Sequence, residues 1–124
     1  MVNTLNWFEI PATDFARAKA FYATVLDVQI QDDPSPNMQY AYLPSDSQKG
    51  GFGGAIAGGE NYIPAMAGTT IYLDGGNDLS IPLGKVESAG GKVILPKTPV
   101  GENRGFIALF IDTEGNKVGL HSVG

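Results

Sequence analysis

Glu9 and His121 are the residues of this 124-residue chain whose types and positions best suit acid–base chemistry. His121 is the single histidine, and the chain contains no cysteine. A thiol nucleophile, an iron–sulfur cluster and a thiolate zinc site are therefore excluded. One chain also cannot supply a site with two imidazoles. A metal ion would need carboxylates, a second subunit or both.

Glu9 is unusual because it interrupts an otherwise apolar segment, residues 7–10. Strand alternation places Trp7 and Glu9 on one face. If that face is buried, Glu9 needs a hydrogen-bonding partner, and His121 is a natural one. Such a pair would make Glu9 a general base. Two other interpretations stay open: Glu9 as a structural acceptor, and His121 as a surface or hydrogen-bonded histidine.

The remaining candidate motifs argue against nucleotide binding and against catalysis by a serine nucleophile. The glycine-dense segment 50–59 lacks the dinucleotide fingerprint and the lysine of a phosphate loop. Its small residues would let a second backbone or a ligand approach closely. The serines lie in no nucleophile-elbow motif. Ser122 follows His121 directly, so the two side chains of a strand would point to opposite faces.

The elements that must position these residues repeat along the chain. The first half predicts a strand at 4–12, a helix at 14–26 capped by Asp14, and strands at 28–30, 38–43 and 53–57. The second half predicts a strand at 69–74, a helix from Asp78 to 90–91, and strands at 92–95, 106–111 and 117–121. Pro11 lacks an N–H group, so the first strand ends there or lies at an edge. The length predicts one domain, 1–124, with modules at about 1–60 and 66–124.

The charge balance limits the partners. The chain has 13 acidic and 8 basic side chains, a formal net charge of −5. This disfavours nucleic acid and anionic membrane surfaces. No apolar run reaches the about 20 residues of a membrane span, and no secretion signal is apparent. We expect a cytoplasmic protein with a small-molecule ligand and no nucleic-acid or membrane partner.

Several segments together resemble the vicinal oxygen chelate superfamily, which contains glyoxalase, bleomycin-resistance proteins and extradiol dioxygenases. The segments are 6–15 (Asn-Trp-Phe-Glu-Ile-Pro-Ala-Thr-Asp-Phe), 21–22, 89–93, 105–108, 112–116 and 119–121. They cover nearly the whole chain and look most like the glyoxalase-related members. The resemblance implies an α+β fold in which two βαβββ modules form a curled mixed sheet around one cavity.

The resemblance also implies a position for a divalent metal, held in the family by four side chains. These positions fall on Trp7, Ala55 or Ala57, Thr70 and Gly119. None of these side chains is of the liganding type, so we expect no metal and no cofactor. Glu9 and His121 lie two residues beyond the first and last positions. A displaced, two-ligand metal site is the remaining alternative.

The predicted function is the binding of a small organic molecule, as bleomycin-resistance proteins sequester a drug without a metal ligand set. The predicted ligand-binding residues are Trp7, Glu9, Tyr40, Phe52, Tyr62, Thr70, Tyr72 and His121. One alternative is a small lyase or isomerase with Glu9 as base, and another is a structural or regulatory module. Two-module chains of this family commonly pair, so a homodimer is expected.

Overall fold

The computed structural model describes residues 3–124 and consists of two modules with the same element order. The first module contains β1 (Phe8–Ala12), α1 (Phe15–Leu26), β2 (Gln31–Asp32), β3 (Gln39–Leu43), a 3₁₀ turn (Ser47–Lys49) and β4 (Gly54–Gly58). The second contains β5 (Tyr72–Asp74), α2 (Ser80–Leu83), β6 (Lys92–Pro99), β7 (Phe106–Ile111) and β8 (Lys117–Ser122). The predicted α+β fold of two βαβββ modules is confirmed. Residues 1 and 2 of the predicted first module lie outside the described residues.

Each module forms its own four-stranded mixed sheet. The strand orders are β1-β4-β3-β2 and β5-β8-β7-β6. In both sheets the first strand pairs in parallel with the last, and the other pairs are antiparallel. Strand β1 is therefore at an edge and runs past Pro11 to Ala12, which is the second of the two alternatives that Pro11 left open, because an edge strand tolerates a residue without an N–H group.

Helix α1 follows from its cap and its apolar stripe. The side chain of Asp14 accepts a hydrogen bond from the Arg17 backbone N–H at 3.1 Å, which satisfies one free donor of the first turn. Residues at helical spacing are buried, namely Ala18, Phe21, Tyr22 and Val25. The helix ends at Asp27, whose φ of 53° is left-handed and which donates its N–H to the Ala23 carbonyl.

The two modules share one hydrophobic core. Buried side chains from both sheets, from α1 and from the residues flanking α2 belong to a single cluster. Within it, the rings of Phe21 and Tyr22 on α1 lie 5.8 and 6.4 Å from that of Phe110 on β7. Because each sheet buries one face in this core, its other face is left for a site.

A buried polar network also joins the modules. The Tyr22 hydroxyl donates to Asp112 Oδ2 at 2.6 Å, and Asn116 Nδ2 donates to the Pro11 carbonyl at 2.8 Å. Burial, reinforced by the Asp112 carboxylate, raises the pKa of Tyr22 well above its ordinary value. Tyr22 therefore stays a protonated donor at any physiological pH.

Glu114 adds a second link, at the start of α1. It accepts from the Asp14 backbone N–H at 2.6 Å and from Arg17 Nε at 2.7 Å. Burial opposes the charge of this carboxylate, but the bonds from Arg17 and Asp14 outweigh it and lower the pKa of Glu114. The turn between β7 and β8 thus holds the N-terminus of the first helix.

The sequence placed β2 and three other strand boundaries incorrectly. The strand predicted at 28–30 lies at Gln31–Asp32, because the Val28 N–H closes the end of α1 on the Ala23 carbonyl and Ile30 packs against the core. The first strand begins at 8 rather than 4, and β5 begins at 72 rather than 69. Strand β6 extends beyond the predicted range, to Pro99.

The second helix is shorter than predicted. It spans only Ser80–Leu83 and continues to residue 90 as successive turns. Pro82 and Gly84 lie within or next to it, and both weaken a helix. Asp78 does not occupy the N-cap position, but its side chain accepts from the Ser80 N–H at 2.9 Å. Within residues 3–124 no helix is long and apolar enough to cross a membrane.

Candidate functional site

A hydrogen-bonded chain of side chains lies on the outer face of the first sheet. Trp7 Nε1 donates to the Tyr40 hydroxyl at 2.8 Å, and that hydroxyl donates to Glu9 Oε2 at 2.7 Å. The Tyr62 hydroxyl reaches the same carboxylate oxygen at 3.4 Å. The prediction that Trp7 and Glu9 share a face is confirmed, since Tyr40 contacts both.

Tyr42 extends this group along β3, where it lies two residues from Tyr40 and on the same face. Its ring meets those of Trp7 and Tyr40 edge-on, with centroids 6.2 and 5.5 Å away. Its hydroxyl donates to Asp33 Oδ1 at 2.6 Å, which raises the pKa of Tyr42 and lowers that of Asp33. Sequence reasoning missed Tyr42 and Asp33, although the alternation of Tyr40 and Tyr42 would have found the former.

We call this group the first-module face; its members are Trp7, Glu9, Asp33, Tyr40, Tyr42 and Tyr62. The central strand β4 lies beneath it, and the residues that β4 presents on this face, Ala55 and Ala57, are small. Ala55 pairs with both Glu9 and Tyr42, while Ala57 pairs with Tyr40. Both alanines are fully buried. The small side chains of β4 therefore provide a floor over which the neighbouring rings can lie.

The first-module face is open to solvent. Trp7 is 41% exposed and Tyr42 is 37% exposed, and Glu9 is also exposed. The face shared by Trp7 and Glu9 is therefore not the buried one, because Ile10 on the alternate side of β1 fills the core. Burial, together with its bond to Glu9, raises the pKa of Tyr40. Tyr40 thus remains a neutral donor that holds a solvent-exposed carboxylate in place.

His121 does not join this face. Its Nε2 atom lies 2.7 Å from the Arg104 carbonyl oxygen, whereas Glu9 bonds to Tyr40 and Tyr62. The predicted Glu9–His121 pair is therefore wrong, because each residue lies in a different sheet and has its own partners. His121 is the hydrogen-bonded histidine of the alternative interpretation.

Ser122, the neighbour of His121, is buried on the other face of β8, as strand alternation predicted. Its hydroxyl accepts from the Leu79 backbone N–H at 2.9 Å, which ties the start of α2 to β8. Ser122 therefore has a structural role.

The other predicted ligand-binding residues are apart from the first-module face. Phe52 and Tyr72 line a cleft of about 690 Å³ between the modules, together with Phe8, Leu43, Ile81 and Lys85. Thr70 lies two residues before β5, outside the strand. The structure thus brings four of the eight predicted residues together and leaves the other four elsewhere.

The residues at the family's metal positions do not fit a metal centre. Trp7 offers only a donor N–H, and Ala55 has no donor atom in its side chain. Gly119 has no side chain, and in the structure the ring of Tyr72, its partner on β5, lies where a Cβ atom would be. Across residues 3–124, no group of three or more His, Cys, Asp or Glu side chains is placed to hold a metal.

Sequence comparison agrees with the fold. The model of the Glyoxalase/Bleomycin resistance protein/Dioxygenase superfamily matches residues 4–120. Proteins of Mycobacterium bovis and Mycobacterium tuberculosis, both named "Putative glyoxylase CFP32", are 30% identical over 121 residues. The match covers 94% of this chain but only 44% of those proteins. The chain therefore spans less than half the length of these relatives.

Solved structures with low sequence identity share the fold. A glyoxalase/bleomycin resistance protein from Albidiferax ferrireducens has a TM-score of 0.68 at 17% identity, covering 97% of this chain and 98% of that one. The fosfomycin resistance protein FosX from Listeria monocytogenes has a TM-score of 0.71 at 13% identity, covering 100% and 94%. At these identities the likeness establishes architecture alone.

Proposed function

Because the chain belongs to the Glyoxalase/Bleomycin resistance protein/Dioxygenase superfamily, we propose that its first-module face binds a small organic molecule without a metal ion. The observation that carries this proposal is the exposed, hydrogen-bonded group in which Trp7 and Tyr40 surround Glu9. Sites for organic ligands combine apolar and aromatic surface with a few fixed polar groups. This face has both.

The hydrogen bonds on this face favour binding because they fix its geometry in advance. Tyr40 is held from both sides, as acceptor from Trp7 and donor to Glu9. A preformed site loses less conformational entropy when a ligand binds. Both phenols reach Oε2 of Glu9, and no hydrogen bond within the described chain reaches its Oε1. Glu9 Oε1 is therefore the atom that would orient a ligand.

Trp7 provides the test, since it is the single tryptophan of the chain. A panel of small organic compounds should include some that change Trp7 fluorescence saturably. Substitution Tyr40→Phe breaks the link between Trp7 and Glu9. It should weaken the binding of these compounds about tenfold, because one hydrogen bond is lost. The matched variant Tyr72→Phe removes a hydroxyl from the second module and should leave binding unchanged. Equal weakening in both variants, or no response to any compound, would contradict the proposal.

A second candidate is a small lyase or isomerase in which Glu9 is the general base. It is favoured by the exposure of Glu9 and by the fixed position that Tyr40 gives its carboxylate. Substitution Glu9→Gln would then abolish turnover of a bound substrate while its binding persists. The two-ligand site expected for a displaced metal is not formed, because Glu9 and His121 lie in different sheets and have separate partners. Turnover that survives in Glu9→Gln would exclude this role.

We also propose that the protein is a homodimer. Large apolar side chains are also exposed on the second module, among them Tyr72, Ile81 and Ile94. Exposed apolar surface of this kind marks interaction sites, and a second copy would cover part of it. Analytical ultracentrifugation at micromolar concentration should give twice the mass of one chain. A monomer under those conditions would contradict the dimer and leave the ligand proposal standing.

A further inference from the structure

We infer that the ligand of the first-module face is a small organic cation, a quaternary or protonated tertiary ammonium. This inference rests on the proposed function, because it names the ligand class of the same face. Its basis is the position of three exposed or half-buried rings, Trp7, Tyr40 and Tyr42, between the carboxylates of Glu9 and Asp33.

The rings of this face are inclined to one another rather than stacked. Tyr42 meets Trp7 at 65° and Tyr40 at 76°, so the three ring planes form a corner rather than a stack. The face of an aromatic ring carries negative potential and attracts a cation within about 6 Å of its centroid. Tyr40 also donates its proton to a carboxylate, which polarises the phenol and makes its ring richer in electrons. A cation in this corner would contact more than one ring face.

The charges on this face are all negative. Glu9 bonds to Tyr40 at one end, and Asp33 bonds to Tyr42 at the other. The bond from Tyr42, followed by one from the Ser35 backbone N–H, lowers the pKa of Asp33, so this group stays ionised. Ion pairs in the described part of the chain join Arg17–Glu114, Lys19–Asp32, Lys49–Asp46 and Lys97–Asp78. None of them neutralises Glu9 or Asp33.

Other ligand charges fit this arrangement less well. An anion would lie beside two carboxylates, and like charges at short range repel. A neutral apolar ligand that covered Glu9 would remove water from a carboxylate and offer no compensation. An organic cation compensates this charge and also gains from the ring faces. The chemistry of the face therefore selects a positive ligand.

Choline and 3,3-dimethylbutan-1-ol form a matched pair of probes, because they have nearly the same shape and differ in charge. Titration of each against the protein, followed by Trp7 fluorescence, should show choline binding at least about tenfold tighter. Glu9→Gln should remove most of that preference, because it weakens the binding of choline more than that of the alcohol. Glu9→Asp, which keeps the charge, should retain it. The control Glu102→Gln changes net charge equally in the β6–β7 turn and should have no effect.

The inference is overturned if the two probes bind equally, or if choline keeps its preference in Glu9→Gln. It is also overturned if neither probe binds while uncharged compounds do. In each of these cases the proposed ligand-binding function stands. If no compound of any charge affects Trp7, the proposed function fails together with the inference.

Discussion

The two modules have the same architecture but present different chemistry on their outer faces. In both, an edge strand pairs in parallel with the last strand of the module. The first-module face carries linked rings, hydroxyls and carboxylates. On the second module, His121 and Gly119 of β8 pair with the apolar Ile107 and Leu109 of β7. The repeat therefore determines where a site can lie, and the side chains of one copy determine which chemistry it can do.

The outer faces of the two modules differ, but both modules share one common core. Phe110 of the second module lies against Phe21 and Tyr22 of the first. The Asp112 carboxylate and the Tyr22 hydroxyl join the modules in the same region. We therefore expect the modules to fold as one unit although their outer faces differ.

The largest expected effect is that of Phe110→Ala, which creates a cavity in the shared core. Truncation of a fully buried phenylalanine costs about 3–5 kcal/mol of unfolding free energy. Both modules should lose stability together in urea, as followed by Trp7 fluorescence for the first and amide hydrogen exchange for the second. Leu109→Ala, on the half-buried side of the same strand, should cost clearly less. Unfolding of the second module while Trp7 keeps its native signal would contradict the shared core.

A smaller loss of stability is expected when either of two glycines beside aromatic rings is replaced by alanine, and its size should differ between the modules. A Cβ atom on Gly54 would overlap the ring of Phe8, and one on Gly119 would overlap that of Tyr72. Phe8 packs against the core, whereas Tyr72 is 48% exposed and can turn into solvent. Gly54→Ala should therefore cost about 2 kcal/mol and Gly119→Ala less than about 1 kcal/mol. Equal losses in chemical denaturation would show that the two rings are equally constrained.

The smallest effect concerns a surface ion pair of the second module. The hydrogen bond from Lys97, with one from the Ser80 backbone N–H, lowers the pKa of Asp78 from 3.8 to about 2. Because the folded pKa lies below the unfolded one, the stabilisation is present above pH 4 and is lost as the pH falls toward 2. Asp78→Asn should therefore be slightly less stable than wild type at pH 6, and this difference should disappear as the pH falls through 2. A difference that grows on acidification would contradict this assignment.

Much of the fold could be predicted from local sequence signals. Asp14 marked the start of α1, Pro11 allowed β1 to lie at an edge, and the repeated element order predicted two modules. The position of β2 could not be predicted, because Val28 is needed to close α1 through a backbone bond that leaves no mark in the sequence. The length of α2 depends on how Pro82 and Gly84 are accommodated against the core. Tertiary packing decided both.

Only part of the candidate site could be predicted, again because tertiary packing decides the rest. Strand alternation predicts that Trp7 and Glu9 share a face, but it does not say whether that face turns inward or outward. It also cannot say which residues of the other module lie opposite, so the Glu9–His121 pair failed. Tyr40 and Tyr62 were predicted by type, and their common contact with Glu9 appeared only in three dimensions.

The most direct test of the central claim uses the indole N–H of Trp7, which is the single such group in the chain. Titration with choline should move this one ¹H–¹⁵N signal saturably, together with the backbone amides of Glu9 and Tyr40. The amides of Tyr72 and His121 in the second module should stay in place. Shifts concentrated on Tyr72 and His121, with an unmoved Trp7 indole signal, would contradict the assignment of ligand binding to the first-module face.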